Sequence, residues 1–150
     1  MGIENDIQQP RFRNEYQKTV VNLIYTYNWV MERNKKFFEK GDITPQQFNI
    51  LRILRGAGKP LSTLQIRQRM LDKMSDTSRI VDRLLLKGLV KKVVCESDRR
   101  LVDVSISDKG LELLEKLDSY NDELDSLLSN LSEEEAKMLN GLLDKIRNSH

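Results

Sequence analysis

Residues 74–110 read MSDTSRIVDRLLLKGLVKKVVCESDRRLVDVSISDKG, and this stretch decides the fold. Ile80 and Leu84 are four apart, with Thr77 and Val81 flanking them, so one stripe of a short helix can face a core. Asp76, Arg79, Arg83 and Lys87 fall on the opposite side. Ser75 is the expected N-cap, because its hydroxyl can accept from an orphan backbone N–H. Gly88 supplies the positive φ that ends a helix. Two runs of β-formers follow, Val90 to Cys95 and Leu101 to Ile106, around a tip Glu96-Ser97-Asp98-Arg99-Arg100. This pattern predicts a helix leading into a hairpin with a basic tip.

Working outward, Ser62 and Gln65 form a Ser-x-x-Gln start for the preceding helix, with Leu64, Ile66 and Met70 or Leu71 as its apolar positions. Asp72-Lys73-Met74 is the turn. A helix from 62 to 71, a turn, and a helix from 75 to 86 have the dimensions of a helix-turn-helix. Upstream, Thr44-Pro45-Gln46-Gln47 combines an N-cap, a proline at the first helical position and a glutamine at the third. That helix buries Phe48, Leu51, Ile53 and Leu54 and ends in Gly56-Ala57-Gly58-Lys59-Pro60. The Gly-x-Gly-Lys string lacks the phosphate-loop spacing and is read as a connecting loop.

Both ends of the chain are expected to be helical. Apolar residues recur at helical intervals from Phe12 to Phe38, predicting one amphipathic helix that holds the only tryptophan, Trp29. Residues 1 to 11 are read as a loose arm. Gly41-Asp42 breaks the helix. After Ser107, a near-heptad stripe of Leu111, Leu114, Leu117, Leu124, Leu127, Leu128 and Leu131 predicts a second long helix. Ser132-Glu133-Glu134-Glu135 starts a last one, with Met138, Leu139, Leu142, Leu143 and Ile146 on its apolar face. So small a central lobe cannot cover these stripes, which points to packing across a two-fold axis.

The 150 residues carry a formal net charge of only +2, but the charge is segregated. From Arg67 to Ile106, ten basic residues against six acidic ones leave +4; from Ser107 onward, eleven acids against five bases leave −6. A polyanion is attracted to the middle of the chain and repelled by its last third. A single cysteine, Cys95, permits no internal disulfide and fits a reducing compartment. The N-terminus has no signal-peptide h-region, and no aliphatic run approaches a membrane span. A soluble, cytoplasmic protein is expected. The only histidine is His150, so no histidine-based triad or histidine-rich metal site can be built, and neither enzyme nor cofactor is expected.

The chain resembles the multiple-antibiotic-resistance regulator (MarR) family of bacterial transcription factors over nearly its whole length. The resemblance is carried by Ser78-Arg79-Ile80-Val81-Asp82-Arg83-Leu84, then Lys87-Gly88-Leu89-Val90, then Asp98-Arg99-Arg100, then Val104-Ser105-Ile106-Ser107-Asp108-Lys109-Gly110. It implies a mainly α fold with a small β-wing: a winged helix-turn-helix DNA-binding lobe over 43–107 and dimerisation helices over 12–39 and 108–148, in one domain covering 1–150. It implies a homodimer that binds double-stranded DNA at a pseudo-palindromic operator, most often as a repressor. Many members release DNA when a small phenolic or other amphipathic molecule binds. Members that sense oxidants use a cysteine near the N-terminus, and the zinc-sensing branch uses several histidines; the one cysteine here is Cys95 and the one histidine His150.

Within that frame the DNA-binding residues are Ser75, Asp76, Thr77, Ser78, Arg79 and Arg83 on the recognition helix and Asp98, Arg99 and Arg100 on the wing. Arg79 and Arg83 would contact phosphate or guanine. Asp76 suits the helix dipole and could accept from cytosine N4. Arg100 would enter the minor groove, oriented by Asp98, with Arg99 on the backbone. Tyr25, Tyr27, Trp29 and Phe48 are the aromatic candidates for an effector pocket where the first helix meets the lobe. The competing readings are a winged-helix protein-interaction module that has lost DNA binding and, more distantly, a carboxylate-based enzyme.

Overall fold

The structure is a computed structural model that describes residues 2–94 and 102–148. The chain forms two compact units, residues 36–124 and residues 1–35 with 125–150.

The first of these units is built on capped helices. α3 (Pro45–Ala57) begins with a full capping box: the Gln47 N–H donates to Thr44 Oγ1, and the Thr44 N–H donates to the Gln47 side chain, both at 3.1 Å. It ends on Gly58 in the left-handed conformation, so the Gly-x-Gly-Lys string is a helix terminus. α4 (Thr63–Arg69) repeats the box with Ser62 and Gln65. α5 (Thr77–Leu86) buries Thr77, Val81 and Leu84 and closes on Gly88, whose φ is +73°.

After α5 come β2 (Val90–Val94) and β3 (Val102–Ile106), paired antiparallel from Val90↔Ile106 to Val94↔Val102. A third strand was not legible in the pattern: β1 (Leu61–Ser62) pairs with β3, Leu61 opposite Val104, giving the order β1-β3-β2. Two residues are too few to show alternation, and only Leu61, fully buried, marks it. The core is Ile50, Leu51 and Leu54 of α3, Leu61, Ile66, Val81, Leu84, Val90 and Val104, closed by Leu114 and Leu117 of α6 (Asp108–Asp118). Ser107 caps α6, accepting from the Gly110 N–H at 3.1 Å and donating to the Gly88 carbonyl at 2.6 Å. Gly110 allows the closest backbone approach in the lobe: a Cβ there would lie 2.3 Å from the Leu89 carbonyl oxygen.

Four expectations are corrected. The first long helix, α2, runs Glu15–Gly41 and not Phe12 to Phe38; it stops where Asp42 takes φ +51°. The arm is not loose throughout, since α1 (Ile3–Asp6) forms there, with Ile3 buried and Glu4 paired to Lys18 of α2. The leucine stripe after Ser107 does not lie on one helix. α6 stops at Asp118, the Ser119 hydroxyl donates to the Lys116 carbonyl, and a separate α7 (Asn121–Ser126) follows. Tertiary contacts hold that break: Lys40 Nζ sits 3.7 Å from the Tyr120 ring centroid and 2.9 Å from Glu123, and Arg55 makes a two-pronged bond to Asp118 at 2.7 and 3.3 Å. The fourth correction is the cap of α5, described next. As expected, Ser132 starts α8 (Glu133–Asn148) with a capping box to Glu135.

Candidate nucleic-acid interface

α5 presents one solvated face, and its start is set by Asp76 rather than Ser75. The Arg79 N–H donates to Asp76 Oδ1 at 3.2 Å, while the Ser75 hydroxyl turns back to the Asp72 carbonyl at 2.8 Å. A carboxylate at this position both accepts the orphan donor and meets the positive end of the helix dipole, which a hydroxyl does less well. Oδ1 is engaged by that N–H, and the second oxygen of Asp76 is the freer acceptor for an outside donor.

The side chains divide cleanly. Ser78, Arg79, Asp82, Arg83 and Leu86 are exposed, and Ser75 is half-buried. Thr77 is 3% exposed, and its Oγ1, fully covered, has no hydrogen-bond partner among the described residues. Its side chain therefore faces the core and can offer an external partner only its backbone. No ion pair engages Arg79 or Arg83 among the described residues. The wing candidates Asp98, Arg99 and Arg100, with Cys95, lie outside the described residues; the strands that lead to them are in place.

Two shallow grooves border the N-terminal half of α5 and bring in residues not singled out from the sequence. One is lined by Thr63, Leu64 and Arg67 of α4 together with residues 75–78. The other is lined by Thr44, Gln46 and Gln47 at the start of α3 with Asp72, Ser75, Asp76, Ile80 and Arg83. Arg67 had contributed to the basic charge of this segment, but nothing in the pattern placed it beside the recognition helix.

The aromatic candidates belong to different units. Phe48 packs edge-on against Phe37 and Phe38, with ring centroids 5.3 and 5.6 Å away, and belongs to the 36–124 unit. Tyr25, Tyr27 and Trp29 belong to the other unit, where the Arg33 guanidinium lies 4.0 Å from the Trp29 ring centroid. No cluster of metal-ligating side chains occurs among the described residues, and no described helix is long and apolar enough to cross a membrane.

Comparison with known proteins gives concordant matches. The MarR family model matches residues 41–101, the stretch that holds α3, the helix-turn-helix and the strands β1 and β2. The transcriptional regulator PecS of Dickeya dadantii is 31% identical over 74% of this chain and 69% of its own length. The transcriptional regulator MhqR of Bacillus subtilis is 29% identical over 86% of this chain and 89% of its own. Among solved structures, a Staphylococcus aureus MepR–DNA complex superposes with a TM-score of 0.74 at 25% identity, covering 93% of this chain and all of that one.

Proposed function

The chain belongs to the MarR family of DNA-binding transcription regulators, and from that premise we propose that it is a homodimeric repressor of a pseudo-palindromic operator. The observation that carries the reading is the outer face of α5. Two arginines stand there one helical turn apart, without ion-pair partners among the described residues, at a helix whose opposite face is sealed into the core. In this reading 43–107 is the DNA-binding lobe, and the helices within 12–39 and 108–148 make the dimer. Arg79 and Arg83 contact guanine or phosphate. Ser78 bonds phosphates or base edges, Ser75, whose hydroxyl proton goes to Asp72, accepts from a base-edge donor, Asp76 caps, and Thr77 contributes its backbone N–H. Arg100 enters the minor groove, held by Asp98, and Arg99 lies on the backbone.

Dimerisation is supported by apolar stripes left in solvent: Tyr16, Val20, Ile24 and Tyr27 on α2, and Met138, Leu142 and Ile146 on α8. Each stripe repeats at three- or four-residue spacing, which suits a helical partner. A small-molecule effector would take a groove of about 450 Å³ lined by Leu54, Lys59, Lys91, Ser105 and Leu111 among others. The Ser105 hydroxyl there is covered and has no partner among the described residues. Two lysines and several apolar side chains in one lining suit a small amphipathic anion.

Selection of bound sequences from random duplex DNA, followed by titration of the winner, tests the reading. An inverted repeat bound by two chains is expected. Arg100→Ala should weaken binding by about 1–3 kcal/mol and relax any A·T preference in the flanks. Asp98→Ala should weaken binding although it removes a negative charge; tighter binding would show that Asp98 does not orient Arg100. Recovery of no sequence would count against a DNA-binding regulator.

A further inference from the structure

We propose that Met74, supported by Leu71, reads thymine methyl groups in the operator; this rests on the DNA-binding function proposed above. The two side chains are 92% and 82% exposed, although each is large and apolar. Both stand in the turn between α4 and α5, and that turn is fixed. The Met74 N–H donates to Asp72 Oδ1 at 2.9 Å, the Ser75 N–H to the Asp72 carbonyl at 3.3 Å, and the Leu71 N–H to Asn49 Oδ1 of α3 at 2.9 Å. Met70, the neighbour, fills the core. The long basic side chain of the turn, Lys73, folds back onto the Gln68 carbonyl. A backbone pinned on both sides holds Met74 and Leu71 out in water, where they contribute nothing to folding.

The charge around them selects the partner. Arg67 and Arg69 precede the turn and Arg79 and Arg83 follow it, with no ion pair to any of them among the described residues. The nearby carboxylates of Asp72 and Asp76 each accept one backbone N–H through Oδ1 and pair with none of these arginines among the described residues. Arg67 and Arg83 line grooves that also take in Ser75 and Asp76, beside the apolar tip, and such unpaired guanidiniums suit a polyanion that itself carries an apolar group. Duplex DNA has one such group on its major-groove base edges, the thymine C5-methyl. Met74 lies two residues before the N-cap of α5, at the end of a recognition helix that contacts base edges.

The test uses the duplex selected with the full-length protein. Each thymine is replaced in turn by uracil, which removes only the methyl, and affinity is measured for the unmodified protein, Met74→Ala and Met74→Leu. Met74 is exposed, so neither variant should disturb folding. At one or two positions per half-site the unmodified protein should lose about fourfold in affinity, the worth of one buried methyl-sized group. Met74→Ala should bind thymine and uracil duplexes alike at those positions, with its salt dependence unchanged. Met74→Leu should retain the discrimination. Tight binding with no thymine–uracil difference at any position overturns the inference while leaving the DNA-binding function standing. So does a full difference retained by Met74→Ala, or a Met74→Ala effect confined to sedimentation behaviour, which would mark a protein contact. Failure of the unmodified protein to bind any duplex overturns both.

Discussion

At the residue scale, the caps are the most transferable part of the reading. Thr44, Ser62, Ser107 and Ser132 each accept from the N–H three residues on, as their sequence neighbours indicate. Ser75 failed as a cap because Asp76 outcompetes it; the two stand side by side, and propensity alone could not rank them. Asp76→Ala should therefore lower stability by about 1 kcal/mol, and Ser75→Ala by less, in denaturant unfolding. At α8, the Ser132 N–H and hydroxyl hold the Glu135 carboxyl below its ordinary value. A depressed carboxylate contributes its stability above the unfolded value and loses it as pH falls through the folded one. Acidification should fray the start of α8, and Glu135→Gln should remove that pH dependence, read by amide exchange at residues 133–136. Glu4 is lowered by its bond to Lys18, so α1 should loosen in the same acid range.

At the element scale, periodicity identified α3, α4, α5, β2, β3 and α8, because each carries apolar residues at its own period; those of α3 and α5 are buried, whereas those of α8 lie in solvent. It misread the stretch after Ser107, where the leucine pattern runs on through a break. Ser119 and Tyr120 carry no strong stop signal; the break depends on Lys40, which is 80 residues distant from Tyr120 in sequence and invisible to any local window. Lys40→Ala should raise helicity across 118–121 or loosen α7, seen as altered amide protection there, with little change at α5. Gly110 is decided by packing rather than by φ. Gly110→Ala drives a methyl toward the Leu89 carbonyl and Ile106, and should destabilise the lobe by about 1–3 kcal/mol, lowering its melting temperature. A fully stable variant would show that α6 can shift along the sheet.

At the scale of the whole molecule, the uneven charge and the exposed stripes were legible from composition and spacing. The orientation of Thr77 and the neighbourhood of Arg67 were not, because each depends on how elements pack. Leu142→Glu, on the stripe of α8, should shift sedimentation toward a monomer and weaken DNA binding together. An unmodified protein that is monomeric at micromolar concentration would remove the two-fold arrangement. The most direct measurement of the central claim, that the outer face of α5 binds DNA, is a titration of the selected duplex across a series of salt concentrations with the unmodified protein, Arg79→Ala and Arg83→Ala. Log affinity should fall linearly with log salt, and an arginine that touches phosphate should make the slope shallower by about one unit when it is removed. Affinity independent of salt, or both variants indistinguishable from the unmodified protein, would contradict it.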